Sequence, residues 1–354
     1  VIDAQGAELT YETDGQTFHL ALSFESQGGA PFFGQPLFTV EVREDQVRGQ
    51  VSSSRVFVDN GGSVDKKNEF LALVDHYEVT TTPCGGITLL QIDETFLPTN
   101  SNAAIEAIPN YHTEQLKEGE GDVIWTIYLK NGDTLRLRHT VKITRVPVVT
   151  LTENDYPMAT IDDLNALLDT LAHEADRKSV YILQLPAVTY EGGLTMKNFC
   201  CDLVGSEGGT TFTGTMTVAT RGIHPSNITN VRFMGDGTGI GLSASEGAFL
   251  HRCTFENWEI GAYGGLGSWV NATGCTFRGN GVGLWLDNRG GATCSGSYYG
   301  DSVYEDNGTA VRIAAMPGTE TLDFNNCVFR GNGVNVENAA GYAVDLSQIV
   351  TADN

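Results

Sequence analysis

Two kinds of hydrophobic periodicity divide the chain. From residue 1 to about 148, apolar and polar positions alternate in runs such as Phe18-His19-Leu20-Ala21-Leu22-Ser23-Phe24, Leu37 to Val42 and Leu135-Arg136-Leu137-Arg138-His139. That period-2 pattern predicts half-buried strands. A hairpin is expected where Trp125 to Lys130 meets Thr134 to Ile143 across Asn131-Gly132, a dipeptide suited to a type I′ turn. One stretch switches period: Phe70, Val74 and Tyr77 recur at helical spacing after Ser63, a candidate cap, with Asp65 nearby.

After the Pro-containing run Arg145-Val146-Pro147-Val148, the pattern becomes helical from Thr160 to Ala172. Thr160 and Asp163 resemble a capping box, while Ile161, Leu164, Leu168 and Leu171 form one apolar stripe. This predicts an amphipathic helix over about 160–176. Strand-like runs follow at Val180 to Pro186 and Tyr190 to Met196.

From there a short unit recurs: Val231-Arg232-Phe233, Cys253-Thr254-Phe255, Cys275-Thr276-Phe277, Ser302-Val303-Tyr304 and Cys327-Val328-Phe329. A turn and second strand follow it, as in Asn280-Gly281-Val282-Gly283-Leu284-Trp285-Leu286 and Asn307-Gly308-Thr309-Ala310-Val311-Arg312-Ile313. One repeat therefore reads as one coil of a stack, with matching positions about 4.8 Å apart.

Such stacking predicts ladders. Phe233, Phe255, Phe277, Tyr304 and Phe329 point inward, as do Val231, Cys253, Cys275, Ser302 and Cys327 two residues earlier. Asn280, Asn307 and Asn332 align at the turn, with Asp236 and Trp258 in the same column of earlier coils. Their amides are expected to bond along the axis and to accept the left-handed backbone of the bend. Glu256, Arg278, Glu305 and Arg330 alternate in sign just past the rings.

Cys275-Thr276-Phe277-Arg278-Gly279-Asn280-Gly281 and Cys327-Val328-Phe329-Arg330-Gly331-Asn332-Gly333 carry a resemblance to the pectin-lyase-like superfamily of right-handed parallel β-helices. It spans about Thr160 to Asp345. The implied fold is dominated by β-structure: a β-rich domain over 1–148, sandwich-like or α+β, then a right-handed parallel β-helix over 149–354 that opens with a capping helix, its coils starting near 180. Polysaccharide lyases, glycoside hydrolases, phage tailspikes and noncatalytic surface proteins share this architecture, so activity must be argued from a site.

Composition narrows the partners. The 354 residues include 42 Gly and 10 Pro and carry a formal charge of −23, a field that repels phosphate polymers. Nucleic acid is thereby disfavoured, and neutral glycans, cations and basic proteins remain. No apolar run approaches the roughly 18 residues of a membrane helix, so membrane insertion is not expected. No charged segment followed by an apolar one opens the sequence, placing any secretory signal before Val1 if one exists. The seven cysteines, at 84, 200, 201, 253, 275, 294 and 327, lack metal-ligand spacing. They read as mostly free, buried thiols.

The search for chemistry yields few residues. The Arg-x-Pro-x-x-Arg signature that the resemblance implies for pectate lyases is missing, and Arg221-Gly222-Ile223-His224-Pro225 is no substitute. The Asn-Thr-Asp, Gly-His-Gly and Arg-Ile-Lys motifs of polygalacturonases are missing too. Catalytic candidates reduce to His251, an outward acid or base beside Arg252, with Asp287 and Glu256. Cofactors and metal ligands are not assignable, and Ca²⁺ stays an option without named ligands. Within the first domain, His76, Tyr111, His112 and His139 are dispersed, which suggests an accessory module.

The more informative column follows the asparagine turn. With Val282, Leu284 and Leu286 inward, and Thr309, Val311 and Ile313 likewise, Tyr263, Trp285, Arg312 and Glu337 stack outward, with Asp287 two residues past Trp285. Aromatic rings lie against sugar faces, and charged groups bind hydroxyl rims. These five residues are the candidate ligand site. The same column would also serve beneath the 287–301 loop, against the first domain or in an oligomer contact. Three readings follow: a bacterial extracytoplasmic or surface protein that contacts polysaccharide, a lyase or hydrolase with an acidic site, and a trimeric spike or adhesin.

Overall fold

The computed structural model describes residues 1–25, 34–45, 49–50, 53–59, 64–82, 87–89, 105–107, 109–111, 118–174, 179–197, 199, 201–220, 225–265, 268–288, 299–315 and 321–351. It divides into two compact units, Val1–Val146 and Pro147–Asn354. The division falls just ahead of the expected 148, because Val148–Leu151 already pairs in parallel with Val180–Gln184 of the second unit.

In the first unit, Thr134–Val146 lies between Gly119–Leu129, its antiparallel hairpin partner, and two parallel neighbours, Ile2–Asp3 and Leu37–Arg43. A second antiparallel sheet runs Glu8–Thr13, Gln16–Glu25, Ser53–Val58 and Ile105–Ala107. Leu20, Leu22, Val56 and Val58 of one sheet share a core with Val123, Trp125, Leu135 and Leu137 of the other. Period-2 patterning buries one face of each sheet, so two sheets close one core.

Two local expectations are corrected here. Helix α1, Val64–Leu73, buries Phe70 against Phe18, but Val74 and Tyr77 belong to the strand Val74–Thr81. There Tyr77 pairs opposite Ile127, and a register shift between Val74 and His76 takes up Asp75; sheet pairing overrode the helical spacing. Ser63 lies outside the described residues. The Asn131-Gly132 turn is not type I′, since only Gly132 takes a positive φ, of 91°. Leu129 N–H donates to Asp133 O and Gly132 N–H to Leu129 O, the three-residue loop in which a left-handed Gly follows a type I turn.

The second unit is a right-handed parallel β-solenoid. Three sheets form its faces. The first face stacks Val148–Leu151, Val180–Gln184, Cys201–Val204, Ser226–Thr229, Gly247–His251 and Trp269–Thr273. The second runs from Thr189–Tyr190 through Thr276–Arg278 to Val350–Thr351, and the third from Leu194–Lys197 through Val282–Asp287 to Val334–Asn338. Helix α2, Ile161–Glu174, carries the expected capping box: Asp163 N–H donates to Thr160 Oγ1 at 3.1 Å and Thr160 N–H to Asp163 Oδ2 at 3.0 Å. Its stripe, with Leu167 added to Leu164, Leu168 and Leu171, is buried in the core of this unit.

The ladders are in register. Phe233, Phe255, Phe277, Tyr304 and Phe329 stand directly over one another, and the column extends back through Phe212 to Tyr190. Neighbouring ring centroids lie 4.5–5.9 Å apart and nearly parallel. Each ring packs on the next along the axis.

The Cys/Ser column has a polar task. Cys253 Sγ donates to Ile228 O, Cys275 Sγ to Leu250 O, Ser302 Oγ to Ala272 O and Cys327 Sγ to Tyr299 O. A small donor at the same corner thus satisfies one carbonyl per coil. Burial pushes the Cys327 thiol up to about 11, which keeps it protonated.

The asparagine ladder is built of two bonds per step. Asn307 Oδ1 accepts from Asn280 N–H and Nδ2 at 3.0 Å each, and Asn332 Oδ1 accepts from Asn307 likewise at 3.0 and 2.9 Å. The left-handed backbone falls one residue earlier than expected, at Asn257, Gly279, Asp306 and Gly331. The ladder asparagines instead turn inward, with Asn280 and Asn307 each 2% exposed. The following Gly must lack a side chain, since a Cβ on Gly308 would meet Gly281 O at 2.7 Å.

Candidate functional site

Turn lengths differ between the corners of the stack. Between the second and third faces, three residues intervene in every coil except Met234 to Ile240, which has five. Between the third face and the next first face, the connection ranges from two residues, after Ala244, to six, after Ala219. Residues 289–298, between Asp287 and Tyr299, lie outside the described residues. Asp287 closes the third-face strand at this corner.

The outward column of that face is as expected from sequence. Tyr263, Trp285, Arg312 and Glu337 are in successive register, each half-buried. Inward neighbours Ala262, Leu284 and Val311 are fully buried, so strand alternation fixes which residues face out. Tyr263 and Trp285 meet edge to face, with centroids 5.6 Å apart and planes at 83°. Arg312 Cζ lies 4.8 Å from the Trp285 ring centroid, and Arg312 Nε donates to Glu337 Oε2 at 2.8 Å. Tyr263 OH donates to Asp287 Oδ2 at 3.3 Å. All five ligand candidates thus form one connected strip of rings, one cation and two carboxylates.

The row also continues where sequence reading did not follow it. Thr195, Thr217 and Ser243 precede Tyr263 in the same register. Extending the inward positions Leu194, Met216 and Leu242 back along the chain would have found them, since each row member follows one of these.

The catalytic candidates are not brought together. His251 closes a first-face strand, Glu256 a second-face strand and Asp287 a third-face strand, and their side chains leave three faces of one prism. Burial, then the neighbouring Arg252, pulls the His251 imidazole below its usual range, with Asp202 opposing. Glu256 is held by Arg232 and by Arg278 at 3.4 Å. Its column carries the expected charge ladder, with Glu305 between Arg278 at 3.6 Å and Arg330 at 3.0 Å, and the Arg330 hydrogen bond holds the Glu305 carboxyl low. Arg221 to His224 lie outside the described residues. Among the described residues, no group of three or more His, Cys, Asp or Glu could hold a metal ion, and no helix is long and apolar enough to cross a membrane.

Residues 205–349 match the family model described as "Right handed beta helix region". This segment is a right-handed β-helix. The match spans the complete asparagine and charge ladders and the Tyr263 to Glu337 strip. A structure search returns a Family 28 exopolygalacturonase of Yersinia enterocolitica at 10% identity, covering 88% of this chain and 79% of that one, with a TM-score of 0.34. No curated protein matches the chain.

Proposed function

We propose that the β-helix binds polysaccharide along its third face, outside the cytoplasm or at a cell surface, without cleaving it. The observation that carries this reading is the strip itself: Tyr263 and Trp285 in adjacent coils, flanked by Asp287, Arg312 and Glu337. An extended glycan offers apolar ring faces and hydroxyl rims in linear succession, which suits rings and charged acceptors repeated at a coil spacing of about 4.8 Å. The divergence of His251, Glu256 and Asp287 supports binding over hydrolysis, since acid and base must flank one bond.

A glycan array followed by affinity electrophoresis tests the proposal. The native chain is expected to be retarded by at least one polysaccharide, and Trp285→Ala to lose most of that retardation while melting normally. A paired assay for reducing ends and unsaturated products is expected to stay at background. Product formation would replace binding by catalysis. Failure of every glycan to bind, or burial of Trp285 in a stable trimer seen by sedimentation and footprinting, would remove the proposal.

A further inference from the structure

The charge along the third face selects among glycans, given the binding reading above on which this inference rests. In register the outward row runs Thr195, Thr217, Ser243, Tyr263, Trp285, Arg312 and Glu337. Three hydroxyls are followed by two rings, then by an ion pair. Arg312 is the row's one cation and is engaged twice, over the Trp285 ring at 4.8 Å and on Glu337 at 2.8 Å. Asp287 accepts the Tyr263 hydroxyl at the edge of the rings. Glu259 and Asp306, exposed in the turns leading into the Tyr263 and Arg312 strands, add negative charge on the approach.

We infer that this strip takes uncharged glycans and rejects polyuronates, polymers with a carboxylate on each sugar. Neutral hydroxyls can donate to Asp287 and Glu337, which are pure acceptors when ionised. A uronate carboxylate offers no donor to these groups and meets like charge. Taking Arg312 for itself would strip Glu337 of its partner and leave two carboxylates side by side. The chain's net charge of −23 repels a polyanion before contact as well.

The test uses the full chain with polygalacturonate, polymannuronate and polyglucuronate, each in native form and after chemical reduction of its carboxylates to primary alcohols. Backbone and linkage are then matched, and only charge differs. At low salt, at least one reduced polymer is expected to bind about tenfold or more tighter than its parent, with the gap shrinking as salt rises. The double variant Asp287→Asn, Glu337→Gln, checked for native melting, is expected to narrow the gap. A native polyuronate bound as tightly as its reduced form, with binding lost in Trp285→Ala, overturns the inference and leaves the binding reading intact. A gap unchanged in the double variant overturns the assignment to these carboxylates. Binding of no polymer in either form overturns the inference, and binding indifferent to Trp285→Ala overturns both readings.

Discussion

The two units are both built of strands, yet they bury polar groups in opposite ways. In the first unit the solutions are unrepeated: Arg43 is held by Asp45, while Trp125 Nε1 donates to Ser54 Oγ at 2.9 Å and Ser54 Oγ meets His139 Nε2 at 3.2 Å, with Ser54 and His139 at most 1% exposed. In the β-helix, two columns of buried polar groups repeat from coil to coil: Asn280, Asn307 and Asn332 satisfy each other, and Cys253, Cys275, Ser302 and Cys327 satisfy successive carbonyls. Translation solves the problem once and copies the solution. A sandwich must solve it site by site, and each solution is a separate point of failure.

That contrast can be broken in graded ways. The largest effect is expected from Phe277→Ala, which opens a gap between Phe255 and Tyr304 in the ring column. A loss of about 3–5 kcal/mol is expected in denaturant melts of the β-helix, and a cost below about 1 kcal/mol would show that neighbouring coils collapse to fill the space.

Acid should instead single out the first unit. Burial lowers the His139 pKa from an ordinary 6.5 to about 3. The folded state therefore refuses a proton that the unfolded chain accepts, so stability is full above pH 6.5 and falls by about 1.4 kcal/mol per pH unit as pH drops toward 3. Hydrogen exchange at several pH values is expected to show the first unit opening before the β-helix, and His139→Gln to flatten this slope. Equal acid sensitivity in both units would contradict the assignment.

A smaller change is expected from Asn307→Ala. It deletes the amide between Asn280 and Asn332 and leaves the Phe277 carbonyl without its Nδ2 donor. A cost of about 1–3 kcal/mol is expected, with exchange protection lost in the coils directly above and below and retained farther along the stack. Uniform loss of protection would mean that the β-helix melts as one cooperative block.

The same difference explains what could be read beforehand. The β-helix, its capping helix and the outward strip were legible because a repeated mistake would be repeated in every coil; periodic selection of Phe, Asn and Gly is a strong signal even at irregular spacing. The first unit had no second copy to check against. There the spacing of Val74 and Tyr77 suits a helix, and pairing with Gly119–Leu129, with a register shift after Val74, makes the strand. The Asn131-Gly132 turn was located correctly and typed wrongly, because its type depends on register at Leu129 and Asp133.

By itself, the sequence determined the coil, its inward rings and thiols, and the alternation that turns Tyr263, Trp285, Arg312 and Glu337 outward. These follow from local periodicity and from the fixed period of two along a strand. Only the tertiary structure decided that His251, Glu256 and Asp287 leave three different faces, that Arg312 is shared between Trp285 and Glu337, and that Thr195, Thr217 and Ser243 lengthen the row. Those are relations between residues far apart in sequence, and they arise only when the coils close and fix which side chains share a face.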